Sequence, residues 1–310
     1  VTVQRNSTLT LNNASSNTNN RLGMAVTAAG NGTLNLSGGT LRIVGNASTG
    51  TTESVGTLNL TGGSGIINLE PTSGQNVTFT AHTLGTVAQG GTVLLRGPNL
   101  GSTIGAGTSN FVIATGGAIN QSGAAGAVGT TTMSIRPDII GDLSLTGSGT
   151  GFVTYIGAGA VVNVAGGNGF RLLAANELAP FLSSGATTNV AMGYQHGGSF
   201  IAATTVNSLT LNQYGGTAAF GPIPQNTTLT ITSGGIIAQA GNRGISGGLL
   251  AVGGSPAFIH TIGDLDFSAG ITGTAGMTKS SAGTLNLNRA QFYTGATSVN
   301  NGTMVLNGGN

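Results

Sequence analysis

Gly32-Thr33-Leu34-Asn35-Leu36 returns as Gly56-Thr57-Leu58-Asn59-Leu60 and again as Gly283-Thr284-Leu285-Asn286-Leu287. Looser copies of the form x-Leu-x-Leu-x-x-Gly surround these three, at Leu9 and Leu11, Leu143 and Leu145, Leu209 and Leu211, Leu229 and Ile231, and Leu265 and Phe267. Each alternates apolar with small polar residues, and most run on into glycine. Alternation with period two is the pattern of a half-buried strand, and the glycine that follows signals a turn. A short strand motif recurring along a chain predicts a repeat architecture.

Residues i and i+2 of a strand share a face. Leu34 and Leu36 are therefore expected to point inward, with Thr33, Asn35 and Ser37 outward. The first two copies lie 24 residues apart. That spacing suits a parallel β-helix, an all-β solenoid with short Gly and Asn turns. Stacked at the usual strand spacing, the whole chain would make about a dozen rungs and a rod of about 60 Å.

Composition agrees with an ordered, water-exposed scaffold of unusual chemistry. Only 5% of the 310 residues are charged and 57 are glycine, whereas an average domain is about 25% charged. Mean hydropathy is +0.23, and the aliphatic residues are periodically placed, unlike a disordered chain of low hydrophobicity and high net charge. Nine basic residues stand against seven acidic ones. The basic ones are scattered singly, so no patch exists to hold phosphates, and nucleic-acid binding is not expected. There is no cysteine, which removes disulfides, thiolate chemistry and Cys-ligated metals. No apolar run is long enough for a membrane-spanning helix.

From 1 to 169 the pattern is strand, Gly or Asn turn, strand. Val77 to Thr80, Val93 to Leu95, Phe111 to Ala114, Phe152 to Ile156 and Val161 to Val164 read as strands. Residues 170–182 differ: Arg171 to Ala179 are helix formers at helical spacing and Pro180 ends the run, which predicts a short helical or irregular junction. Strands resume over 183–310, at Val206–Leu211, Thr227–Ile231, Gly248–Val252, Phe258–Ile262 and Leu285–Leu287. Pro222 and Pro224 flank Ile223 and mark a loop or an edge.

Sites for chemistry are sparse. Asp264 and Asp266 share one strand face about 6.6 Å apart, a separation open to an inverting glycosidase pair. The inward placement of Leu265 and Phe267 leaves both acids on the solvated face instead. Asp138 and Asp142 read as turn or cap residues beside Pro137. His82, His196 and His260 lack the clustering a zinc site needs. Neither a catalytic, cofactor-binding nor metal site is assigned.

Val1-Thr2-Val3 and Thr303 to Leu306 both read as strands, so neither end looks like the polar cap that closes a solenoid. Open edges template further pairing, either with neighbouring repeats of a longer chain or head-to-tail with a second copy.

Lys279, Gly283 to Leu287, Tyr293 to Gly295 and Asn300 to Met304 follow the order Lys, Gly-Thr-Leu-x-Leu strand, Tyr-Thr-Gly turn, Asn-x-Gly-Thr strand. Over about 265–308 the chain thereby resembles the autotransporter-associated β-strand repeat of large bacterial surface proteins. It departs at Met304, where Leu is usual, and at Arg289 to Phe292. The resemblance implies a right-handed parallel β-helix, secretion to the cell surface or beyond, and display, adhesion or matrix roles rather than catalysis. Cell-surface or matrix polysaccharide is an expected partner. The alternative is a carbohydrate-binding or carbohydrate-cleaving β-helix of a secreted protein or phage tail spike, although four Tyr and no Trp offer little surface for stacking sugars.

If Leu34 points inward, Leu34→Asp buries a charge and lowers the thermal midpoint steeply, whereas most Thr or Asn changes are expected to leave it in place. An unchanged midpoint in Leu34→Asp would place this residue on the outer face.

Overall fold

The computed structural model describes residues 1–23, 32–86, 90–114, 119–157, 169–180, 182, 185–193, 203–212, 227–239 and 243–308. The expected strand at Val161 to Val164, the Pro222–Pro224 segment and His196 lie outside these. The described residues form an all-β chain built on parallel sheets. They divide into two compact units, 1–121 with 139–172, and 122–138 with 173–310.

The first unit carries β1 (Thr2–Gln4), β2 (Thr8–Asn12), β3 (Thr33–Ser37), β4 (Thr40–Val44), β5 (Thr51–Leu60), β6 (Gly63–Glu70), β7 (Val77–Leu84), β8 (Gly91–Arg96), β9 (Ser109–Ile113), β10 (Arg136–Asp142), β11 (Gly151–Ile156) and β12 (Gly169–Leu172). The first three residues of β10 group with the second unit. Odd strands up to β9 join one sheet in the order β1-β3-β5-β7-β9, and the even strands together with β11 a second, in the order β12-β11-β10-β8-β6-β4-β2. The chain thus leaves one sheet, enters the other and returns one place further along.

Register follows the repeat. Thr33, Leu34, Asn35 and Leu36 of β3 lie against Thr57, Leu58, Asn59 and Leu60 of β5. Leu34, Leu36 and Leu58 are fully buried, as the alternation requires. Outside, the Asn59 amide donates to the Asn35 Oδ1 at 3.0 Å, 24 residues away. Aromatic rings extend the same principle. Phe79 and Phe111 are register partners, with ring centroids 5.2 Å apart. Phe170 continues the column at 5.2 Å, and Tyr155 closes on Phe170 edge-on at 5.0 Å. The Tyr155 hydroxyl accepts from the Ile113 amide and donates to its carbonyl, at 2.9 and 3.0 Å.

The second unit carries β13 (Gly185–Met192), β14 (Thr204–Leu211), β15 (Thr228–Ala238), β16 (Arg243–Ala251), β17 (Ala257–Thr261), β18 (Leu265–Thr272), β19 (Met277–Ser280), β20 (Thr284–Leu287), β21 (Thr297–Val299) and β22 (Thr303–Leu306). The long strand β15 is the branch point. Its first half pairs with β16, which leads through β18 and β20 to β22, and its second half pairs with β17, which leads through β19 to β21. Apolar residues such as Leu229, Ile231, Leu250, Leu265, Phe267, Leu285 and Leu287 fill the core.

Three sequence expectations change. Leu143 and Leu145 are not in a strand: β10 stops at Asp142 and Leu143 is exposed. The Asp142 carboxylate accepts from the Ser144 and Gly149 amides at 2.8 and 2.9 Å, and this turn takes the backbone away from the ladder. Within 170–182, β12 runs to Leu172 antiparallel to β11, and helical structure is confined to a 3-10 turn at Ala175–Glu177. Helix propensity is a weak prior here. Phe170 is held in the aromatic column, and Glu177 spends its carboxylate on the Ala174 and Gly129 amides. Several Asn residues are also not surface residues. Asn189 is fully buried, donating to the Met133 carbonyl and accepting from Asn207 and Ser208.

Phe111 sits at the middle of the aromatic column. Phe111→Ala should cost about 3–5 kcal/mol, read as a lower chemical-denaturation midpoint. A loss no larger than that of an exposed Thr→Ala control would mean the column contributes nothing to stability.

A buried polar cluster as the candidate functional site

Parallel register brings the site together. Leu265 pairs with Leu285 on one ladder, and on the other Ile259 pairs with Lys279 and His260 with Ser280. All four of the latter are buried, and so are Arg136 and Asp138.

The His260 Nε2 lies 2.8 Å from the Pro137 carbonyl oxygen. A carbonyl can only accept, so Nε2 carries the proton. The other ring nitrogen, Nδ1, then accepts from the Ser280 hydroxyl at 2.7 Å. Next to Pro137, Arg136 grips Asp138 through two parallel hydrogen bonds, Nε to Oδ1 at 2.8 Å and Nη2 to Oδ2 at 2.6 Å. Such a planar fork is the strongest geometry open to an arginine and a carboxylate, and both partners are buried. Burial pushes the His260 imidazole down to about 4. The Pro137 bond and the Asp138 charge pull it up, and the Lys279 charge pushes it further down.

Lys279 points its ammonium at three main-chain carbonyls, those of Ser281, Gly283 and Asn301, each at 2.6 Å. Three donors thereby meet three acceptors. Burial lowers this ammonium to about 8 against the pull of Asp264. Gly302 makes room for it. Its φ is +70°, and a Cβ there would collide with Lys279 Nζ and the Gly283 carbonyl oxygen.

A serine hydroxyl hydrogen-bonded to a histidine is the start of a nucleophilic pair. Here the far ring nitrogen binds a carbonyl, and both side chains are only 1% exposed. The arrangement instead ties β17 and β19 to the 122–138 segment of the same unit.

The acids singled out in the sequence are engaged in the same way. Asp264 accepts from the Thr284 amide and Asp266 from the Asn286 side chain, both at 2.7 Å and both 20 residues along. Leu265 and Phe267, which alternate with them, are buried, as the alternation implies. Asp142 ends β10 and its carboxylate holds the turn that follows, the bonding expected of it, whereas Asp138 lies mid-strand in a buried ion pair. Glu53 takes the Arg21 amide and guanidinium, and Glu70 takes Arg42 and the Asn68 amide. Each of the seven carboxylates therefore has a partner within its own unit. His82 is half-buried in β7, with Nδ1 lacking a hydrogen-bond partner. No three His, Cys, Asp or Glu residues converge as metal ligands among the described residues.

Reading the histidines separately misses the pairing with Ser280. The signal was present: aligning Leu265 with Leu285 sets His260 opposite Ser280. The Pro137 contact, 123 residues away, has no such trace. Comparison with protein-family models, curated proteins and solved structures gave no match.

The histidine makes stability pH-dependent with a definite sign. As pH falls from 6.5 to about 4, the unfolded chain binds a proton that the folded chain excludes, and stability drops. The fall should be about 3 kcal/mol larger in the native chain than in His260→Gln, measured by denaturant titration across that window. Parallel curves for the two proteins would mean that His260 titrates alike folded and unfolded.

Proposed function

We infer that the chain is a non-enzymatic structural element, a parallel β-solenoid from an extracellular or cell-surface bacterial protein or fibre, serving display, adhesion or matrix formation. One observation carries this reading: equivalent residues stack on one another in parallel register. Thr-Leu-Asn-Leu lies on Thr-Leu-Asn-Leu at β3 and β5. In the second unit Leu265, Asp266 and Phe267 lie on Leu285, Asn286 and Leu287, and these lie in turn on Met304, Val305 and Leu306. The alternation of strands between two sheets in the first unit suits a chain that coils. So does the split of the second unit into two ladders after β15. A solenoid shares its core along its length and needs no disulfides, in keeping with a chain of no cysteine.

The polar chemistry supports the same reading. Carboxylates and buried histidine serve neighbouring strands rather than converging on a shared exposed point. The last ladders coincide with the stretch that resembles the autotransporter-associated repeat, and its lysine is the hub of three carbonyls.

Assembly follows from the sheet edges. Among the described residues, β1, β2, β21 and β22 each have a strand partner on one side only. They would accept a further parallel strand, from neighbouring repeats of a longer chain or from a second copy placed head to tail. Surface or matrix polysaccharide is the non-protein partner this role would bring.

Electron microscopy of the native material tests the reading. Continuous fibres with an axial repeat near the length of one molecule are expected if copies stack, and isolated short rods if the chain is a display segment. Compact, isotropic particles would overturn the solenoid.

A further inference from the structure

We propose that Asn301 is a self-modification site. In this proposal the Gly302 nitrogen closes onto the Asn301 side-chain amide, and Lys279 steers the opening of the resulting ring toward isoaspartate.

Two Asn-Gly pairs lie among the described residues, and the fold treats them oppositely. At Asn307-Gly308 the glycine amide donates to the Leu287 carbonyl at 3.1 Å, and the Asn307 side chain donates to Asn288 at 2.8 Å. Nitrogen and side chain are thus held by β20 and the residue after it. At Asn301-Gly302 the glycine amide donates to the Asn301 Oδ1 itself at 2.8 Å. The nucleophile already touches the group it would attack, and Asn301 is exposed to water. Gly302 has no Cβ to shield that nitrogen, and its cramped position beside Lys279 requires that it have none. The other two Asn-Gly pairs, at Asn31 and Asn168, begin outside the described residues.

The chemistry is balanced without any group beyond water. A turn of the Asn301 side chain presents Cγ to the Gly302 nitrogen. The nitrogen–Cγ bond forms, the bond from Cγ to Nδ2 breaks, and Nδ2 leaves as ammonia with the Gly302 proton. The product is a cyclic imide with two carbonyls. Water adding at Cγ restores the original main chain and leaves aspartate. Water adding at the former main-chain carbonyl breaks the original peptide bond, routes the chain through Cγ and leaves a free α-carboxylate.

Lys279 distinguishes the two routes. Its ammonium donates to the Asn301 main-chain oxygen at 2.6 Å, whereas Asn301 Oδ1 takes the Gly302 amide. A cation placed there stabilises the negative charge that develops on that oxygen as water adds. The opening is thereby biased toward isoaspartate. The α-carboxylate it leaves then faces the ammonium that had bound a neutral carbonyl, so an ion pair replaces a charge–dipole contact.

The test incubates the full chain at neutral pH, where Lys279 keeps its charge, once folded and once in concentrated urea. Peptide mass spectrometry follows Asn301 and Asn307, and an isoaspartate-specific methyltransferase assay follows the product. The folded chain is expected to convert Asn301 several-fold faster than Asn307, with a larger isoaspartate share at 301 than in urea, where the two rates converge. Asn307 reacting as fast as Asn301 in the folded chain overturns the proposal. So does an intact Asn301, and so does an isoaspartate share that is the same folded and unfolded. Asn301→Gln supplies the background and should show no product at this position.

Discussion

A parallel ladder sets each side chain above its counterpart, and the rest of this structure depends on that constraint. Leucine above leucine, phenylalanine above phenylalanine and asparagine above asparagine all gain from the repetition. A charge above its own kind would lie about one strand spacing, 4.8 Å, from it, with a repulsion that grows as water is excluded. The described registers respect this. Arg42 lies between Thr10 and Asn68, Asp266 lies against Asn286, and Asp142 lies against Arg96, its opposite. A charged fraction of 5% is thus what parallel stacking tolerates, and Thr, Ser and Asn take over solvation of the outer faces.

The same constraint explains why so much of the fold was legible. The alternation in Thr33 to Leu36 determines which side chains go inward, and its return at Thr57 determines what lies beneath them. Failures occurred where a side chain competed with the ladder for backbone groups. The Leu143-Ser-Leu alternation has the period of a strand, but the Asp142 carboxylate captures the amides that a strand would need. The Arg171 to Ala179 run has helical composition. Phe170 is nonetheless committed to a ring column whose other members lie 15 or more positions away in sequence, beyond what a local pattern can reveal.

The candidate site shows the limit from the other side. Its within-ladder half, His260 over Ser280, follows from the repeat. Its other half, the Pro137 carbonyl and the Arg136–Asp138 fork, comes from a segment that carries no copy of the motif. Buried polar groups need partners, yet a sequence does not say which distant backbone supplies them. Lys279 lies between these cases. Its neighbours Ser281 and Gly283 are local, and Asn301 lies 22 residues further on.

The sequence spacing between stacked partners is not uniform. Asn46 reaches Asn13 across 33 residues, Asn59 reaches Asn35 across 24, and Asn307 reaches Asn288 across 19. The strand pairs at these three places keep their register, so the difference lies in the segments between strands. Each such segment can then lengthen or shorten by insertion and deletion without disturbing the ladder, because closing a longer loop costs little more than closing a short one. Such a gene can drift, recombine and acquire new surface excursions between strands while the ladders are inherited unchanged. Diverged copies would then share a backbone long after their sequences had ceased to align.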